Sequence, residues 1–482
     1  MLELPYELWC EIARCLSRSD LFLVRTLNRH MLNIARDELY KEGRIHYFED
    51  AKTQKLLRGL RHSSTIVAPR LRSLLLRPHV FGPPMQKNHR KWALREKTEA
   101  NDAHFLLRSL TSFDGLKNLD LQCCYADHYS SFRLTIPHLN VAMKTWTSTI
   151  ETLRLQIPFE AYRDMDLARV TMKNLRNLTV YAFPSYLTTN HGVLERGSLG
   201  PFINNHMATL ESLSVSTIHG DYIYPIDYLF KNLGFFPHLK QLNVAFHFVS
   251  PAQSSIESVE KFVNVHLGQI RNFKIEVEPP LTGSGCSFSW PQLLEQPLFK
   301  SKFSNLQSLT LGLTRAPGIK DILHCILPYK STLTEFSLLD KSLTFAEVNA
   351  LTTLFKDGPI RSLSFITRFC GPDLLTLLSS KLPELHSLSL SFDSWIGKGA
   401  TDPTFDPFRP WYYSIPSFVD TFIQTIADEC YAEWKLRRIN IIVLQDSNGK
   451  YQMCHYVLAM ALPGVISFNG IARPDWLAAA GN

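Results

Sequence analysis

From residue 71 onward the chain repeats one arrangement: an apolar residue, two others, an apolar residue, one other, and an apolar residue. It begins twelve times, at Leu71, Leu116, Ile150, Leu175, Leu210, Leu239, Ile270, Leu306, Leu333, Ile360, Leu385 and Leu436. Strand side chains alternate between the two faces of a sheet, so the fourth and sixth residues share one face while the third and fifth point the other way. Leu119, Leu309 and Leu388 are therefore predicted in the core, and Asp120, Thr310 and Ser389 outside it. Between the motifs, Ile319 to Leu327, Phe345 to Phe355 and Leu374 to Leu382 carry apolar residues at helical spacing. Strand, turn, helix and turn in repetition predict an α/β fold. Starts lie 25 to 51 residues apart, so the units are irregular rather than tandem copies.

The N-terminus has a different period. Leu4, Leu8, Ile12 and Leu16 stand four apart and form one stripe of a helix, which Pro5 can open because its missing N–H costs nothing there. A second helix is predicted with Ser19 as its cap and with Leu21, Val24, Leu27 or Asn28, Met31 and Ile34 on one side. Two short amphipathic helices cannot bury their faces alone; they need a partner surface.

These residues resemble the F-box family: Leu4-Pro5-Tyr6-Glu7-Leu8, then Ile12, Leu16, Asp20-Leu21, Leu27-Asn28-Arg29, Ile34-Ala35 and Leu39-Tyr40, in family order. The tryptophan often found late in that motif is absent, and Met31 stands near its place. The resemblance implies that the helical hairpin docks on the Skp adaptor, and through it on cullin, with Leu4, Pro5, Leu8 and Ile12 as the apolar contacts. The repeats resemble leucine-rich repeats and imply a horseshoe-shaped solenoid. The Asn or Cys usual three places after the motif is clear only at Cys124, so the horseshoe is expected to be uneven. The expected order is an F-box at 1–45, a helical linker at 46–65, about twelve irregular repeats at 66–446 and a C-terminal cap at 447–482. The implied function is the substrate-recognition subunit of a Skp, cullin and F-box E3 ubiquitin ligase, holding a protein substrate on its repeats. The alternative is a non-catalytic interaction scaffold without a ubiquitination role.

Composition narrows this only slightly. Apolar residues make up 45% and charged residues 20%, as expected for a chain folded nearly throughout. Met1-Leu2-Glu3-Leu4-Pro5 lacks the basic start of a secretory signal, and Cys454 to Ala472 is interrupted by His455, Pro463, Gly464 and Asn469, so no membrane partner is expected. Nine cysteines without a Cys-x-x-Cys pair suit the reduced thiols of cytoplasm or nucleus, most of them buried. No catalytic, cofactor-binding or metal-binding residue is predicted. H-E-x-x-H, P-loop and G-x-S-x-G patterns are missing, the histidines show no ligand spacing, and Gly283-Ser284-Gly285 lacks the strand-to-helix context of a phosphate loop.

Of the third and fifth motif residues, only Asp120, Arg154, Lys274, Glu335 and Arg438 are charged, so the concave face is expected to be polar and nearly neutral. That is not the basic, aromatic-lined track that nucleic acid requires. The net charge of +7 collects elsewhere. The second motif position carries Arg72, Lys117, Arg176, Lys240, Arg271, Arg361 and Arg437 against Glu151 and Glu211, a basic rim suited to an acidic or phosphorylated partner or simply to solvent. Two insertions break the rhythm. Arg77 to Ala103 holds Pro83-Pro84 and the basic run Lys87 to Arg95. Asp393 to Pro416 holds Trp395, Phe405, Phe408, Trp411, Tyr412 and Tyr413, of which Trp411, Tyr412 and Tyr413 are the candidate substrate anchors.

Overall fold

In a computed structural model of the chain, all twelve apolar motifs form strands, and each strand starts at the third residue of its motif. The structure describes residues 4–46, 50–77, 101–102, 104–123, 129–183, 199–218, 226–248, 255–278, 290–313, 318–399, 415–444, 451–473 and 475. The fold is mixed α/β, with fifteen strands among the described residues. Two compact units divide it: Met1–His219 with Ile226–Leu239, and Gly220–Pro225 with Lys240–Asn482.

The first unit contains β1 (Glu42–Ile45), β2 (Ser73–Leu76), β3 (Asn118–Gln122), β4 (Thr152–Pro158), β5 (Asn177–Phe183) and β6 (Ser212–Ser216). They pair side by side, parallel and in chain order, with Ser73, Asn118, Thr152, Asn177 and Ser212 in one register row. The second unit contains β7 (Gln241–His247), β8 (Asn272–Glu278), β9 (Ser308–Leu313), β10 (Glu335–Leu343), β11 (Ser362–Cys370), β12 (Ser387–Trp395), β13 (Arg438–Val443), β14 (Ser467–Phe468) and β15 (Ile471–Ala472). β7 to β14 are again parallel and in order, and β15 turns back antiparallel to β14.

The first, fourth and sixth residues of every motif are buried, none more than 6% exposed. Each such leucine or isoleucine contributes about 1.5 to 3 kcal/mol by leaving water, which makes the register a strong determinant of the fold. Helices occupy the intervals where helical spacing is seen in the sequence: Ile319–Ile326, Phe345–Phe355 and Pro372–Lys381. Thr344 and Glu347 form a reciprocal capping box at the second of these. Parallel pairing leaves the N–H groups at each strand start in need of acceptors, and the second-position carbonyl of the preceding repeat takes two of them. Arg72 O accepts from the backbone N–H of Lys117 and Asn118, at 2.8 and 2.9 Å, and the same fork recurs from repeat to repeat within each unit.

The boundaries read from the sequence need correction at both ends. Residues 42–45, grouped with the N-terminal helices, are β1 and bond to β2. Gly43 occupies the fourth motif position because a Cβ there would stand 2.9 Å from Leu71 Cδ1. The strands also continue past residue 446. β14 and β15 are joined by Asn469 and Gly470, both with left-handed φ (49° and 79°), a two-residue hairpin. The Asn469 side chain accepts from Ile441 N–H at 2.6 Å and donates to Ile441 O at 3.2 Å, so it pairs with β13 as a further strand residue would. Between 46 and 65 the helical linker is a helix over Ala51–Val67, kinked at Ser63. Of the seven described cysteines, Cys123, Cys370 and Cys454 are buried, Cys10 and Cys325 are half-buried, and Cys15 and Cys430 are exposed, so fewer than half of these seven are buried. No described helix is long and apolar enough to cross a membrane.

From the motif at Leu116 to that at Leu333, the turn before the strand holds a buried anchor that alternates between two positions. Phe113, Met172 and Phe236 stand three residues before the motif; Trp146, His206, His266 and Tyr329 stand four before it. This alternation absorbs part of the irregular spacing. His206 is 1% exposed; its Nε2 accepts from Met172 N–H at 2.9 Å, and its Nδ1 donates to Phe202 O at 2.8 Å. Only the neutral ring can make both bonds. Burial lowers the pKa of His206, and likewise of His266, below the ordinary value of 6.5. The unfolded chain therefore binds more protons than the folded one in mildly acidic solution. Stability is complete above the unfolded value and falls as pH drops through about 6.5 and below, by up to about 1.4 kcal/mol per pH unit for each histidine. Melting temperatures between pH 7.5 and 5.5 are expected to show this decline, and His206→Gln is expected to flatten it; an equally steep decline in the variant would contradict the assignment.

Candidate functional site

Three surfaces present chemistry that the core does not consume. The first is formed by α1 (Tyr6–Arg14), α2 (Arg18–Val24) and α3 (Arg29–Tyr40), which replace the two helices read from the sequence. Ser17, rather than Ser19, caps α2, accepting from Asp20 N–H at 3.2 Å. Asn28 ends the run that periodicity had joined: its Oδ1 accepts from Met31 N–H at 2.8 Å and starts a new helix. Ala13, Leu21, Met31 and Ala35 make a small core, with Trp9, Leu16, Phe22, Val24 and Ile34 packed against it.

That core uses only one side of α1. Leu16 belongs to it, whereas Leu4, Leu8 and Ile12 face outward at 42%, 48% and 41% exposure, with Pro5 also exposed beside them. Leu23 and Leu27 add two more exposed leucines. A row of apolar residues on the solvent side of a three-helix unit is not what solubility favours, and it is the first candidate for a docking surface.

The second surface is the open face of the strands. In the first unit Asp120 and Arg154 are register neighbours on β3 and β4, with Oδ1 and Nε 3.8 Å apart. The Arg154 guanidinium lies 4.9 Å from the Tyr181 ring centre, and Gln122 donates to Asp120 at 2.9 Å. Burial pushes the Asp120 carboxyl above its ordinary range although Arg154 opposes this. β1 adds Arg44 to this face, a contribution the sequence reading missed because Gly43 breaks the motif. In the second unit small, uncharged side chains, Thr310, Ser337, Ser364, Ser389 and Asn440, lie in one row across β9 to β13.

The third surface is the edge where strands begin. In the first unit its cations are largely matched, Lys117 by Glu151 at 2.7 Å and Arg176 by Glu211 at 3.4 Å. In the second unit Glu384 binds both Arg361 and Lys435, at 2.6 and 2.5 Å, and these two cations hold its carboxyl down at about 2. Arg271, Arg437, Lys302, Lys330 and Lys356 make no ion pair among the described residues.

Trp411, Tyr412 and Tyr413, the candidate anchors, lie outside the described residues, as do the Lys87 to Arg95 run and Cys124. Trp395 does not belong with them: β12 runs to this residue, which is fully buried against Phe392 and Phe422, ring centres 4.7 and 4.4 Å away. Among the described residues no cluster of His, Cys, Asp and Glu is placed to hold a metal ion. No protein-family model matches the chain, and no curated protein is significantly similar to it.

Proposed function

We propose that this chain is the substrate receptor of a Skp, cullin and F-box ubiquitin ligase. The N-terminal helices dock on the Skp adaptor through Leu4, Pro5, Leu8 and Ile12, and the strand-turn-helix units act as an irregular leucine-rich-repeat solenoid that holds a protein substrate. The chain then performs no chemistry of its own. It raises the concentration of bound substrate beside the catalytic partners, an effect worth orders of magnitude in rate without any catalytic side chain.

The observation that carries the adaptor half is the outward apolar row on α1, adjoining a core that Ala13 and Leu16 already satisfy. The observation that supports the receptor half is the alignment of identical motif positions across successive parallel strands, which lays out a long, regular row of side chains for recognition. Co-expression with the Skp adaptor is expected to yield a stoichiometric complex that also retains cullin. A chain purified alone, with no adaptor retained in pull-down, would refute the proposal. Deletion of residues 1–45 is a poor control because it removes β1 along with the helices; point substitutions on α1 are the appropriate comparison.

A further inference from the structure

We propose that the strand-start edge of the second unit binds an acidic stretch of a polypeptide partner. This names the chemistry of a partner for the receptor reading above, and it is tested without the adaptor, so either can fail while the other stands.

Two rows of cations share this edge. The strand-start row is fixed by the carbonyl forks, which run in order through Lys240, Arg271, Gln307, Thr334, Arg361, His386 and Arg437, so that its cations are interspersed with neutral side chains. The turn row is fixed by packing. The Tyr329 hydroxyl donates to Ser301 O, which sets Lys330 beside Lys302. The next turn lies so close that a Cβ on Gly358 would stand 2.7 Å from Lys330 O, which sets Lys356 beside Lys330.

Lys330 and Lys356 follow helical segments, where the backbone dipole already favours a cation, and that accounts for their charge without a ligand. It does not account for Arg271 and Arg437, which stand at strand starts, exposed and without an ion pair among the described residues. Against these cations the edge offers Glu335, the exposed first residue of β10, with Asp357, Glu384 and Glu433 in the neighbouring turns, and Glu384 is already shared by Arg361 and Lys435. The edge is left with an uncompensated positive charge along its length.

A partner must match both the length and the spacing. Seven strand starts at about 4.8 Å per step span roughly 30 Å, the length of about ten extended residues. Single-stranded nucleic acid would require stacking platforms, and the aromatic residues of these turns, Phe303, Tyr329 and Trp434, are all buried. An extended run of Asp and Glu side chains fits the charge and needs no platform.

The probe is a fluorescein-labelled deca-glutamate, its anisotropy measured with the purified full chain at about 50 mM and about 300 mM salt. Binding is expected at the lower salt and is expected to weaken steeply at the higher. The variant carrying Arg271→Gln, Lys330→Gln, Lys356→Gln and Arg437→Gln is expected to bind at least tenfold more weakly at an unchanged melting temperature. Should it melt early, the pairs R271Q/R437Q and K330Q/K356Q carry the same test, each expected to weaken binding threefold or more. The charge-removing variant Lys320→Gln, exposed on the helix Ile319–Ile326 and away from this edge, is expected to bind as the native chain does. Undiminished binding by the edge variants overturns the proposal, as does tighter edge-dependent binding of a DNA duplex or phosphatidylserine vesicles than of the peptide.

Discussion

Ile12→Asp is expected to abolish capture by the Skp adaptor while leaving the melting temperature of the chain unchanged. Ile12 is 41% exposed and makes no part of the helical core, so the carboxylate remains hydrated in the free protein. In the complex it would be buried without a partner, at a cost of several kcal/mol, about the whole contribution of a central apolar contact. Leu8→Asp is expected to behave alike. The control is one residue away: Ala13 is 8% exposed and faces Leu21, Met31 and Ala35, so Ala13→Asp is expected to disrupt the three helices themselves. Pull-down and circular dichroism on the three variants separate contact from folding. If Ile12→Asp binds at native yield, α1 does not carry the adaptor contact.

Leu388→Ala is expected to destabilise the chain by about 2 to 5 kcal/mol, the usual cost of the lost transfer energy and the cavity left behind. Leu388 is 1% exposed, at the fourth position of its motif on β12. Leu119 and Leu309 hold the same position in their motifs, 1% and 4% exposed, and are expected to respond similarly. Ser389 follows Leu388 and points to the open face, where it accepts a hydrogen bond from Asn440 Nδ2 at 3.2 Å. Its truncation is expected to change stability by no more than about 0.5 kcal/mol. Denaturant titrations of L388A and S389A measure the contrast, and equal losses would mean that the register is wrong by one residue.

The strands from Leu71 to Val443 are legible in the sequence because two signals coincide there: alternation of period two and leucine or isoleucine at the buried positions. β1 is hidden because Gly43 stands where the other motifs carry an apolar side chain, with the ends of Leu71, Leu56 and Leu74 packed over it instead. β14 is hidden because it is only two residues long and ends in a hairpin rather than a third apolar position. At the N-terminus the periodicity continues through Leu27 and Asn28, but Asn28 satisfies a backbone N–H more effectively than it would serve a helical face. The stripe Leu4, Leu8, Ile12 and Leu16 could be read from its four-residue spacing, but not that Leu16 would turn to the core while the other three face outward, because α1 ends at Arg14. The basic edge could be only half read. Its composition is in the sequence, but which cations are matched depends on Glu151, Glu211 and Glu384, and pairing across repeats is a property of register.

A stack of parallel strands offers unsatisfied donors and acceptors at its last member, and any strand of another molecule with a suitable sequence could be templated there. Here the last long strand, β13, meets first the short β14 and then the Asn469 amide, whose two hydrogen bonds to Ile441 use up the groups that an incoming chain would need. The reversal into β15 also changes the strand polarity, so a further strand running with the series would have to pair antiparallel. One carboxamide and a two-residue turn thus close the Ile441 position of β13 to an incoming strand. That protection matters most for a protein whose repeated units could each serve as the seed of a fibre.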